Sequence, residues 1–73
     1  MDKFEIWSEG CIKGRLNLHA YYHGCAYGIN FKDACINLAY LNSQFRGEFN
    51  SKELTFFNCR LFDNEKQARK KNG

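Results

Sequence analysis

The sequence predicts a small α+β domain: an antiparallel sheet of about three strands, covered on one face by a helix, in the order β-β-α-β-α. Three observations carry that prediction. An alternating run opens the chain, an apolar stripe at helical spacing occupies its middle, and a β-prone, almost wholly apolar run stands near its end.

Residues 3–9, KFEIWSE, place Phe4, Ile6 and Ser8 on one side and Glu5 and Trp7 on the other, which is the two-residue period of a strand. Gly10 and Gly14 bracket a turn. Residues 16–28, LNLHAYYHGCAYG, suit a second strand with a bulge or close crossing at Gly24, and the two runs form a hairpin. Asn30 stands where its side chain can accept from the unpaired N–H groups of a first helical turn, and Asp33 adds a charge favourable at that end. Phe31, Ala34, Cys35, Leu38 and Leu41 then recur every three or four residues as one stripe. Asn42, Ser43 and Gly47 end the helix, and residues 46–53 read as a polar loop. Residues 54–62, LTFFNCRLF, are apolar on both sides and read as a central strand. Asn64 and Gln67 stand at capping-box spacing and open a short last helix.

A chain of 73 residues is one domain, here 1–73 with a basic tail over 66–73. At this size roughly 60% of the unfolded surface is buried, so a dense core is needed. The 16% aromatic content meets that need and leaves little for an enclosed active-site cavity. The net charge of +3 is local: Lys66, Arg69, Lys70 and Lys71 supply four of the 11 cations, leaving seven against eight anions. A neutral body with a basic tail fits charges that offset a helix dipole and aid solubility better than a nucleic-acid stripe. The opening residues lack the apolar run of a signal peptide, and no stretch approaches the roughly 20 residues of a membrane span. A cytoplasmic location follows as the expectation, with reduced thiols and with Cys35 and Cys59 as small core residues.

No constellation in the chain calls for catalysis, a metal or a cofactor. On a strand His19 and His23 lie roughly 13 Å apart, too far to share one zinc. Cys25 with either histidine lacks any thiol-enzyme signature. The glycines fit neither phosphate-binding fingerprint. Tyr21 and Tyr27, with the histidines, can stack unpaired bases only if cations flank them on the sheet, and only Lys13, Arg15 and Arg60 are candidates. An exposed aromatic face for protein contact, including Trp7, Tyr21 and Tyr27, is the simpler reading, and it allows a homodimer.

Residues 4–10 (FEIWSEG), 20–24 (AYYHG), 31–35 (FKDAC) and above all 54–69 (LTFFNCRLFDNEKQAR) resemble a group of short, uncharacterised proteins of bacteriophages and integrative elements. Those proteins typically end in L-T-Y-W-G-C-R-L-F-D-N-E-x-x-A-R. Here Phe57 and Asn58 replace the Trp and Gly of that motif. The resemblance implies a mobile-element origin in a bacterial cytoplasm and brings no activity with it. Together with the small size and the aromatic face, it makes the expected function a non-catalytic accessory protein that binds a host protein or nucleoprotein complex, as a counter-defence, anti-CRISPR-like inhibitor. The alternative is a small nucleic-acid-binding protein that uses Lys66, Arg69, Lys70 and Lys71 with the tyrosine strand.

Overall fold

A computed structural model of the chain describes residues 1–13 and 16–70, with 11–13 and 16–18 described as backbone. The elements run β1 (Asp2–Ser8), β2 (Cys11–Lys13), β3 (Leu16–Leu18), β4 (Tyr21–Gly28), α1 (Phe31–Leu41), α2 (Ser43–Glu48), β5 (Phe49–Asn50), β6 (Thr55–Phe56), β7 (Cys59–Phe62) and α3 (Glu65–Ala68). The class is α+β, as expected, but the order is longer than β-β-α-β-α. Five strands form one antiparallel sheet in the order β4-β1-β7-β6-β5, and β2 pairs with β3 as a separate ribbon.

Three departures account for the difference. Residues 16–18 do not extend the second long strand; they pair with residues 11–13, in the segment expected to be only a turn, while β1 pairs with β4 from Asp2↔Gly28 to Ser8↔Tyr21. Residues 46–53 are not simply a loop. Asn42 stops α1 and restarts the chain as α2, its Oδ1 accepting from the N–H groups of Gln44 (3.0 Å) and Phe45 (3.1 Å). That restart turns Phe45 inward, where it is the largest fully buried side chain, and leaves Leu41, expected in the apolar stripe, 83% exposed.

The third departure lies in residues 54–62, which are two strands rather than one. Phe56 and Cys59 pair across a two-residue loop whose residues, Phe57 (φ 52°) and Asn58 (φ 63°), both lie in the left-handed region. Two positive φ values make this the I′ hairpin turn, whose twist matches that of its strands. Asn tolerates the conformation and Phe does so at a cost, so the sequence carries only half of the usual signal. β7 is nevertheless central, between β1 and β6.

The core joins Ile6 and Ala26 of the sheet, Leu61 of β7, Ala34, Cys35, Leu38 and Ala39 of α1, and Phe45 of α2. The helix start is built as the sequence indicates: the Asp33 N–H donates to Asn30 Oδ1 (2.8 Å) and the Ile29 N–H to Asp33 Oδ2 (3.0 Å). Gly28 sits under that turn. A Cβ there would stand 2.4 Å from the Ala34 nitrogen, so only glycine lets β4 pass this close to α1. Cys59 is buried as expected but is disulfide-bonded, which corrects the reading of it as a reduced thiol; Cys25 and Cys35 are free.

Candidate functional site

A single bulge decides which aromatic side chains share a face. β1 advances one residue from Ile6 to Trp7 while its partner β4 moves two, from Gly24 to Tyr22, so His23 is the extra residue and Gly24 takes φ 123°. The sequence placed a bulge at this glycine correctly. Its consequence is that Tyr21 and Tyr27, both at odd positions, do not lie on the same side of the sheet. Tyr27 pairs with Lys3 on the outer face, whereas Tyr21 pairs with buried Ser8 on the inner side.

On the outer face Trp7 and Tyr22 stand opposite each other with ring centroids 4.9 Å apart, and the indole N–H donates to Glu5 Oε1 at 2.8 Å. Tyr22 and Tyr27 are exposed, as is the free thiol of Cys25 between them. The phenol of Tyr22 is pushed above its ordinary range, first by desolvation and then by Cys25 and Glu5, so it stays a neutral donor. α1 packs its buried residues against the opposite face, with Ile6 and Ala26. α3 reaches this face from one end, where the Arg69 guanidinium lies 5.8 Å from the Trp7 ring centroid. Trp7 and Tyr27 of the expected docking set thus share the outer face but stand at opposite ends of it, roughly 13 Å apart along β1; Tyr22 packs against Trp7, and Tyr21 lies on the other side.

Tyr21 instead lines an open cleft of about 520 Å³ with Ser8, His19, His23, Asn42, Gln44, Phe45, Phe56 and Phe57. His23 lies at its base, half-buried, with its ring centroid 4.4 Å from that of Phe56, 5.0 Å from Phe45 and 4.9 Å from Tyr21. Its Nε2 and the Ser8 Oγ are 2.9 Å apart and share a hydrogen bond. Desolvation pulls the imidazole down to about 4, so it is neutral at physiological pH. His19 is exposed, whereas His23 is half-buried. Sequence spacing alone missed the Ser8–His23 pair, because the bulge creates it. Cys25 faces away with Glu5, on the opposite side of the sheet from the Ser8 that His23 meets.

The basic tail is partly engaged. Arg69 pairs with Glu65 at 2.5 Å as well as lying over Trp7; Lys66 and Lys70 are exposed, and Lys71 lies outside the described residues. Among the described residues no group of three or more His, Cys, Asp or Glu side chains could hold a metal ion, and no helix is long and apolar enough to cross a membrane. Comparison of the chain with protein-family models, with curated proteins and with solved structures gives no match.

Proposed function

We propose that the protein is a non-catalytic binding module that docks on a protein partner through the outer face of its sheet. The observation that carries this reading is the row of aromatic side chains on the outer face, the Trp7–Tyr22 pair and exposed Tyr27 farther along it, with α1 packed on the opposite face. Tyr and Trp enrich protein interfaces because they bring large, rigid contact area with a polar tip. The mobile-element resemblance sets the class of partner, a host protein or nucleoprotein complex in a bacterial cytoplasm, and inhibition of a host defence system is its narrower form. The bonded state of Cys59 weighs against a reducing compartment. Acid-quenching of intact cells, followed by alkylation under denaturing conditions without reductant, tests the location: a reducing cytoplasm requires Cys59 to be modified.

Affinity capture from host extract with and without nuclease tests the function. Trp7→Ala, Tyr22→Ser and Tyr27→Ser variants should lose a partner that survives nuclease, while Tyr40→Ser on α1 should keep it. Nucleic-acid binding is the second reading, and exposed Lys66 and Lys70 favour it. It requires low-salt binding that weakens steeply as salt rises and that disappears when Lys66, Lys70 and Lys71 become Ala.

A further inference from the structure

The inner cleft is separate from the docking face, and its size and lining are those a small ligand would need. Its volume of about 520 Å³ falls within the roughly 300–1,000 Å³ of small-molecule pockets. Flat rings form its walls: Phe45 and Phe56 are stacked with centroids 5.4 Å apart and planes 3° from parallel, and Phe57 meets Phe56 edge-on at 5.0 Å. Phe57 stands there only by holding a left-handed backbone, φ 52°, that a phenylalanine adopts at a cost. Its polar lining is Ser8, His19, Tyr21, His23, Asn42 and Gln44, of which Ser8 and His23 are hydrogen-bonded to each other.

Charge, or the want of it, narrows the ligand. Among the described residues, no Lys, Arg, Asp or Glu lines the cleft. Among the described residues, then, a phosphate or carboxylate meets no counter-charge and an ammonium group no anion, and a charged ligand would be desolvated against them without compensation. Flat aromatic walls reward a planar ring, and the hydroxyl, imidazole and amide groups beside them reward a ring with a hydrogen-bonding edge.

We propose that this cleft binds an uncharged, planar heteroaromatic molecule, its ring against Phe56 and Phe57 and its polar edge toward Ser8, His23 and Gln44. The site is independent of the docking face, so either can fail without the other.

The test uses the full chain and four probes: indole and adenosine, which are neutral, and indole-3-acetate and adenosine monophosphate, their charged counterparts. Binding is followed by NMR through the His23 ring protons and the Gln44 side-chain amide. At least one neutral probe should shift both sets of signals saturably, and its charged counterpart should bind roughly tenfold more weakly or worse. Phe57→Gly removes one wall while giving the turn the residue its backbone prefers, so the fold persists, as its amide spectrum will show. That variant should weaken the neutral probe by roughly tenfold, the scale of one lost ring stack. The proposal is overturned if neither neutral probe shifts these signals at millimolar concentration, if charged and neutral partners bind alike, or if Phe57→Gly binds as tightly as the parent.

Discussion

His23 is the residue on which the inner side of the molecule turns. Its displacement by the bulge removes it from the strand's alternation and sets it among three rings beside Ser8. Burial lowers its folded pKa to about 4, so the unfolded chain binds the proton more readily at any pH between that value and the ordinary 6.5. Its contribution to stability is therefore complete above about pH 6.5 and is lost as pH falls toward 4. An NMR titration of the His23 ring should place its midpoint well below 6, and His23→Gln should flatten the stability profile across that window. A midpoint near 6.5 would mean that the ring is solvated. The thiols divide in the same way: Cys25 is exposed, while burial pushes Cys35 up to about 12. A mild alkylating reagent should label Cys25 in the native protein and Cys35 only after unfolding, as intact and peptide masses would show.

At the scale of elements, most segments were legible and most junctions were not. The period-two run gave β1, Asn30 and Asp33 gave the start of α1, and Gly24 gave the bulge, because each rests on a local rule that the tertiary structure does not override. Two asparagines hid the rest. Asn42 reads as a helix stop, yet the same side chain is a good helix start, and only packing of Phe45 into the core selects the second role. Asn58 follows a phenylalanine rather than preceding a glycine, so the I′ turn that divides β6 from β7 lacks its usual dipeptide. Both junctions can be tested by denaturation. Asn42→Ala should destabilise the protein by about 1 kcal/mol through loss of the cap of α2. Asn58→Gly should be neutral or stabilising, and Asn58→Val should cost about 1–2 kcal/mol or more, since a β-branched residue resists the left-handed region. Gly28→Ala belongs here too: with the backbone of Ala34 2.4 Å from the new Cβ, either β4 or α1 must move, at a cost of about 1–3 kcal/mol. A Gly28→Ala variant as stable as the parent would mean that this crossing is looser than described.

For the whole molecule, the sheet separates two surfaces of different character. Its inner side holds the core and the neutral cleft, and its outer side presents Trp7, Tyr22 and Tyr27. The candidate site was half legible, since the sequence marked Trp7 and Tyr27 as surface aromatics but joined Tyr21 to them by a simple alternation that the bulge breaks. Tyr22, two positions from the bulging glycine, could have been found by carrying that bulge through to its consequence for side-chain direction. On the proposed function, the outer face is where the protein meets its partner. The measurement that tests it most directly is nuclease-treated affinity capture with the parent chain beside a Tyr22→Ser, Tyr27→Ser double variant of unchanged thermal stability. A partner protein held by the parent and lost by the double variant is the predicted result; capture that the double variant retains, or that nuclease abolishes, would contradict it.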